Sequence, residues 1–379
     1  MAKSTISAQP VQQVLDCARA AAPFASSLGQ AFVSIPLGPE AQQVIPVRSP
    51  RFYAWLADTF YREFSAPPHA SALRNAVRQI EASAWFADQN RPAVSRRLAA
   101  QGSHLILDLY DELGQVVEIG PQGWRVVSGL GFHFANARNS RPLPAPIETE
   151  TRPSARLQQF RSILDVPQTR NWSAILAWTL AALRPSGPYP ILILRGPAHS
   201  GKSTLAAFLR ALLDPNAVPF QPVPRTERHL LQLAHSHWIL AFDDVRRVSP
   251  TVSDALARLS SGAVLGLRET PGDVDPLHLL LQRPIILTAP ADQHPVRWIT
   301  RSAIAAHSIV VDLPPIASAQ LRPRHHLQAE FDAAHPVLLS ALCDAISAAL
   351  AQPAQAPYPL PRKLGVLLQF PKERLASSR

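Results

Sequence analysis

The chain has 379 residues, 37 Lys and Arg against 27 Asp and Glu, and 47% hydrophobic against 17% charged residues. That balance excludes an intrinsically disordered chain and leaves room for two domains or slightly more, each with its own core. Cys17 and Cys343 lie far apart, which excludes a disulfide framework or a cysteine-based zinc site and suits a reducing compartment.

The formal charge of +10 is unevenly distributed. Residues 1–150 carry 13 basic against 12 acidic side chains, whereas residues 151–379 carry 24 against 15, so +9 of it falls in the second part. A basic excess of this kind suits a polyanionic partner such as nucleic acid. Met1 to Asp16 lacks the apolar core of a signal peptide, and Ala174 to Leu183, the nearest approach to a membrane span, is too short. A soluble, cytoplasmic protein with no membrane partner is the expectation.

Taken in order, residues 1–47 read as a short helix, Val11 to Ala21, followed by a loop holding Gly29, Pro36, Gly38 and Pro46. Phe52, Trp55, Leu56 and Phe60 recur at helical spacing, as do Leu73, Val77, Ile80 and Trp85. The period then shortens. Val94 to Leu98, His104 to Leu109, Gln115 to Ile119 and Trp124 to Val127 read as strands joined by the turns DELG and GPQG. Residues 48–137 are thus expected to form a small α+β domain. Residues 138–155, Pro-rich and without apolar period, are expected to be a linker. Leu157 to Leu183 gives two amphipathic helices.

The next stretch carries the strongest signal. Ile191-Leu192-Ile193-Leu194 is an unbroken apolar run suited to a strand buried on both faces. It is followed by Gly196-Pro197-Ala198-His199-Ser200-Gly201-Lys202-Ser203, a complete G-x-x-x-x-G-K-[ST] phosphate loop, and by Thr204. Leu205, Phe208, Leu209 and Leu212 then form one face of a helix ending near Asp214-Pro215. Glycines let backbone N–H groups converge on phosphate oxygens, and the helix N-terminus adds its positive dipole. In such a loop Lys202 reaches the β- and γ-phosphates and the Ser203 hydroxyl takes a Mg²⁺ position.

Downstream, Trp238 to Phe242 forms a buried strand ending in Asp243-Asp244, the pattern of a Walker B element, whose carboxylates hold the Mg²⁺ shell and polarise the attacking water. Val252 to Ser260 reads as a helix. Pro284 to Thr288 is a third buried strand, with Thr288 where a sensor of the γ-phosphate sits, and Ile309 to Leu313 is a fourth. Strands alternating with helices indicate an α/β, P-loop NTPase domain at 156–320, with a parallel sheet and helices on both faces. Residues 321–379 give one or two helices and a basic tail with Arg362, Lys363, Lys372 and Arg374. His235-x-His237 and His325-His326 read as surface or helix-end residues rather than metal ligands.

These elements resemble the phage- and mobile-element-encoded primase–helicase proteins that carry a superfamily III, poxvirus-type helicase domain. The resemblance runs from about Arg48 to Phe370. It includes VRSPRFYAWLADTFY, VVEIGPQGWRVV and LAWTLAALRPSGPYPILILRG, then SDALARLSSGAVLGLRETPGD, RPIILTAP and IVVDLPPI in the family's order. It implies an AAA+-like ATPase that assembles as a homo-oligomeric ring, uses ATP and Mg²⁺, and translocates on single-stranded DNA during replication. Carried over, Lys202 and Ser203 hold nucleotide and metal, Asp243 holds metal, Thr288 fills the sensor position and Arg268 the basic position after the Walker B helix. Relatives often have Asn where Asp244 stands. The Arg that precedes their final strand is replaced by His307, with Arg297 and Arg301 earlier as candidate fingers. No priming polymerase domain precedes Arg48, and the chain ends soon after Arg362-Lys363. A nucleotide-dependent DNA-binding module with little hydrolysis is the rival expectation. A small-molecule kinase is disfavoured because no lid-like Arg cluster follows the loop.

Overall fold

The computed structural model describes residues 8–38, 41–86, 91–129, 131–135, 137–164, 166, 168–267, 277–291 and 303–352. The chain enters on α1 (Ala8–Cys17) and then forms an antiparallel meander of β1 (Ala22–Ala25), β2 (Ala31–Pro36) and β3 (Gln42–Pro46). The loop expected here is therefore a sheet. Pro36 and Pro46, which suggested a loop, sit at strand ends, where a missing N–H is tolerated. Between them the pleat alternates. Val33, Ile35 and Ile45 face one core, and Phe32 and Val44 face the other side, against Ala135. Ser49 caps α2 (Pro50–Phe64) by accepting from the Phe52 backbone N–H at 3.2 Å, with Pro50 in the first turn. Phe52, Leu56 and Phe60 of α2 and Ala76, Val77 and Ile80 of α3 (Ala70–Phe86) close that core.

The second meander is β4 (Leu98–Gln101), β5 (His104–Asp108), β6 (Gln115–Gly120) and β7 (Gly123–Ser128). The strand expected at Val94 to Leu98 instead begins at Leu98. Leu105, Leu107, Val117 and Ile119 of this sheet share a core with Leu338, Leu342 and Ile346 near the end of the described chain, not with α2 and α3. The helices and hairpins read as one α+β unit are divided between two cores. The Pro-rich segment expected as a linker is likewise fastened down. The Leu143 N–H donates to Leu109 O at 2.8 Å and the Arg141 N–H to Pro215 O at 2.9 Å, and Leu143 itself is buried. An extended segment cannot satisfy its own backbone, so its donors go to the elements it crosses.

The remaining elements are α4 (Pro153–Ile163), α5 (Thr169–Ala182), β8 (Ile191–Gly196), α6 (Lys202–Leu213), α7 (Glu227–Ser236), β9 (Leu240–Phe242), α8 (Pro250–Ser261), β10 (Ala263–Leu267), β11 (Leu277–Leu281), β12 (Ile285–Pro290), α9 (Ala303–Ala306), β13 (Ser308–Asp312) and α10 (Arg324–Ala351). Four of them form an all-parallel sheet in the order β13-β8-β12-β9. Ile191 to Leu194 are fully buried. Leu192 and Leu194 face α6 and α10, and Ile191 and Ile193 face α7 and α8, so helices cover both faces as expected. An antiparallel hairpin of β10 and β11 interrupts the alternation. The C-terminal region holds a single 28-residue helix, α10, with Pro336 inside it. By length and composition α10 would pass as a membrane span, which the sequence reading did not anticipate. More than half of its apolar window, 56%, is buried against the rest of the molecule.

One buried ion pair joins these parts. Arg97, fully buried and immediately before β4, donates Nε to Asp214 Oδ1 at 3.1 Å, while the other Asp214 oxygen accepts the Ile239 N–H at 3.2 Å. The remaining Arg97 donors reach the Asp108 and Arg141 carbonyls at 3.1 and 3.2 Å. Removing the carboxylate leaves a buried, uncompensated guanidinium. Asp214→Ala is therefore expected to lower unfolding free energy by about 3–5 kcal/mol, read as a shift in the urea midpoint.

Candidate nucleotide-binding site

The parallel order fixes where functional side chains gather. In such sheets ligands sit outside the carboxyl ends of the strands, and three of those ends converge here. β8 ends at Gly196 and runs into the phosphate loop, β9 delivers Asp243, and β12, lying between them, delivers Thr288.

The loop is built for close approach to an anion. A Cβ on Gly196 would collide with Ser200 Oγ and come within 2.7 Å of the Leu313 carbonyl, so the residue has to be glycine. Gly201 has φ 75°, a left-handed conformation, and precedes α6 without offering a side-chain cap. The first N–H groups of α6 are thus left for a ligand. His199 also lies in the left-handed region, at φ 58°. Ser200 Oγ is buried with no hydrogen-bond partner, and Pro197, Gly201, Ser203 and Thr204 are half-buried while Ala198 and His199 are exposed. Lys202 Nζ folds back onto the Pro197 carbonyl at 3.0 Å.

On the metal side, Ser203 Oγ donates to Asp243 Oδ1 at 2.8 Å, and the Thr288 hydroxyl donates to the same oxygen. Thr288 is fully buried, and its Oγ1 also accepts the Asp244 N–H at 2.9 Å. That bond holds Asp244 in the left-handed region at φ 49°, a conformation aspartate tolerates, and turns its exposed side chain toward Arg246, 3.0 Å away. Both partners of this last pair are more than half exposed, so it contributes at most about 1 kcal/mol. A hydroxyl and a carboxylate fixed together beside a glycine-built anion cradle suit a magnesium–phosphate group.

The structure thus brings together Gly196 through Thr204, Asp243, Asp244 and Thr288. Thr288 spends both its bonding directions on the two aspartates. His307 lies elsewhere. It precedes β13, whose Ser308 pairs with Ile191 at the opposite end of β8 from the loop, about 16 Å along the strand. Arg268, Arg297, Arg301 and the tail residues Arg362, Lys363, Lys372 and Arg374 fall outside the described residues. His235 is half-buried at an internal joint. Its Nε2 lies 3.4 Å from both Arg96 Nη2 and Gln30 Nε2, and burial, with help from Arg96 and Arg283, holds its pKa down at about 4. Sequence reasoning missed Arg246. Its signal, an Arg two residues after the acidic pair, is too common to stand out.

Residues 157–363, more than half of the chain, match the family described as actinomycete integrative conjugative element replication protein. No curated protein matches. Among solved structures, the apo C-terminal region of NrS-1 covers 88% of this chain and 69% of its own at 10% identity and TM-score 0.45. The SCCmec type IV Cch helicase covers 83% of this chain and 57% of its own at 10% identity and TM-score 0.40. The JCV helicase covers 60% and 69% at 17% identity and TM-score 0.30.

Thr288→Val keeps the volume but removes the hydroxyl, leaving the Asp244 N–H without its acceptor and Asp243 oriented by Ser203 alone. A loss of about 1–3 kcal/mol in stability is expected, together with a higher Mg²⁺ requirement for nucleotide binding. Thr288→Ser should restore both, as read by urea unfolding and magnesium titration.

Proposed function

The chain belongs to the family of actinomycete integrative conjugative element replication proteins, and from that premise we propose that it is an ATP-hydrolysing motor that moves on DNA during replication of such an element. The observation that carries the reading is the meeting of the Ser203 and Thr288 hydroxyls on Asp243 beside a complete phosphate loop. Lys202, released from the Pro197 carbonyl, takes the β- and γ-phosphates, and Ser203 with Asp243 holds Mg²⁺. When bound, the metal neutralises charge on the phosphate oxygens. Asp244 orients the attacking water and accepts its proton, which requires that it leave Arg246. The partner polyanion is single-stranded DNA, the assembly a homo-oligomeric ring and the compartment the cytoplasm.

In a ring, a neighbour supplies positive charge to the γ-phosphate, and Arg297 or Arg301 takes that role in place of His307. The rival reading, a nucleotide-dependent DNA-binding module with little turnover, is favoured by one observation, the ion pair that occupies Asp244.

Lys202→Ala is expected to abolish hydrolysis without unfolding the chain, since a half-buried loop lysine packs little. Wild-type turnover by this variant would remove the assignment, and no turnover by the wild-type protein with single-stranded DNA present would favour the rival reading. Mixed with Arg301→Ala or Arg297→Ala subunits, Lys202→Ala subunits should recover activity that neither shows alone. DNA binding is expected to follow the basic second part of the chain. Affinity should fall roughly 10³-fold or more between 50 and 200 mM salt, measured by anisotropy with a labelled single strand.

A further inference from the structure

The far end of the phosphate-loop helix holds an arginine whose two-donor edge is empty. Arg210, in the last turn of α6, is 1% exposed. Its Nη1 donates to the Pro219 carbonyl at 2.6 Å, while Nε and Nη2 are both buried without a partner. Those two N–H groups share one edge of the guanidinium and point the same way, the fork that matches a carboxylate or a phosphate with two parallel bonds. The chain shows elsewhere what that edge takes. Arg195 turns the same two nitrogens onto the two oxygens of Asp312, at 2.5 and 2.8 Å.

The nearest carboxylate does not fill the fork. Asp214, one helical turn on, gives one oxygen to Arg97 Nε at 3.1 Å and the other to the Ile239 N–H at 3.2 Å. Arg97, Arg210 and Asp214 are 0%, 1% and 4% exposed, so two guanidiniums share one carboxylate away from water. Burial pulls the Arg210 pKa down and Asp214 offsets part of that, yet a guanidinium keeps its proton. His237 brings no negative charge, and burial followed by the field of Arg210 holds its pKa down. Charged donors left unmade in the interior are among the costlier defects of a fold. Water would satisfy the two donors and leave the surplus charge. An anion with two parallel oxygens satisfies both.

We infer that the fork of Arg210 receives a small free oxyanion of the phosphate or sulfate class, at a site separate from the phosphate loop. The helix itself sets the separation, since Arg210 lies about 12 Å along the α6 axis from Lys202. Burial sets the size of the ligand. A phosphate within a nucleic-acid backbone arrives with chain on both sides and needs an open surface, whereas a free ion needs only a brief gap. The loop that Arg210 bonds supplies the route, because Pro219 is half-buried and its neighbours Ala217 and Val218 are exposed. The place also gives the ion a consequence. Asp214 registers α6 against the chain entering β9, and an anion on Arg210 matches the charge at that joint.

The test is calorimetric titration of the full chain with inorganic phosphate, sulfate and chloride at matched ionic strength, with Lys202→Ala present to silence the phosphate loop. That protein should bind phosphate and sulfate at a single site per chain, and chloride about 10-fold or more weakly. Adding Arg210→Lys keeps the charge without the fork and should weaken phosphate binding about 10-fold or more. Adding Arg210→Met, of similar length and apolar, should abolish it. Phosphate should also raise the urea midpoint of the Lys202→Ala chain and leave that of the chain with Arg210→Met unmoved. Failure of the Lys202→Ala chain to bind either oxyanion overturns the inference, whether or not the Arg210 variants fold. Phosphate affinity retained by both Arg210 variants overturns it by placing the ion elsewhere. Chloride binding as tight as phosphate overturns it too, because the fork would then act as charge alone.

Discussion

The helix that carries the phosphate loop is held at its far end by one buried carboxylate. α6 starts at Lys202 with its positive dipole end toward the anion cradle and ends at Leu213, so Asp214 stands at the negative end, where a carboxylate is disfavoured. Two cations offset that. Arg210, in the last turn, is buried and donates to the Pro219 carbonyl at 2.6 Å, and Arg97, just before β4, reaches in to bond Asp214 directly. Because the second Asp214 oxygen takes the Ile239 N–H, the same residue registers the loop helix against the chain entering β9. The distance between the loop and Asp243-Asp244 is thus set from the end of the helix opposite the loop. The flanking antiparallel sheet, through Arg97, is part of the device.

At the ligand end, strand order does the corresponding work. With β12 between β8 and β9, a threonine inside β12, two residues before its end, bonds both aspartates. Thr288 gives its hydrogen to Asp243 and its lone pair to the Asp244 N–H, so the side chain of one acid and the backbone of the next are positioned by a single hydroxyl. This changes the meaning of the position. A buried threonine with both bonding directions taken positions the acids before it senses any phosphate, and its influence on a ligand passes through Asp243 and Ser203.

Much of this was legible in the sequence. The loop, its buried strand and its amphipathic helix follow from local rules, and so does the end of β9, because an unbroken apolar run stopped by a polar residue has few other meanings in a parallel sheet; β12 runs two residues past Thr288, to Pro290, because Ala289 and Pro290 still pair with Arg195 and Gly196. What was not legible is non-local. The first three strands were hidden because Pro36, Gly38 and Pro46 mark a loop and a strand boundary equally well. The division of residues 48–137 between two cores depends on which surface Leu107 and Val117 face, and period-2 alternation tells that one face is buried without naming the partner. Arg97 and Asp214 lie 117 positions apart; neither stands out alone, and their pairing exists only once β4 and α6 are placed. The Pro-rich strap hid in the same way, since absence of period describes a free linker and a segment bonded to its neighbours alike.

In the proposed function, two carboxylates, Asp243 and Asp244, face a ligand that brings several negative charges of its own. Among the described residues, the cations bonded to groups of the site are Lys202, on the loop carbonyl of Pro197, and Arg246, on Asp244. Arg195, next to the loop, is already engaged by Asp312 in a two-pronged pair at 2.5 and 2.8 Å, which raises its affinity for its proton and matches its charge with a carboxylate. His307 is at the wrong end of its strand to help within one subunit. The transition state of phosphoryl transfer spreads charge over the γ-phosphate oxygens, and one lysine and one metal leave part of that charge unmatched. Either Arg246 moves from Asp244 to the phosphate, which frees the acid for water as it supplies the cation, or the charge comes from a neighbouring copy. The first route makes the Asp244–Arg246 pair a resting state that binding dissolves, at a cost of about 1 kcal/mol or less for so exposed a pair. The second makes the isolated chain an incomplete enzyme by construction, with turnover dependent on its concentration.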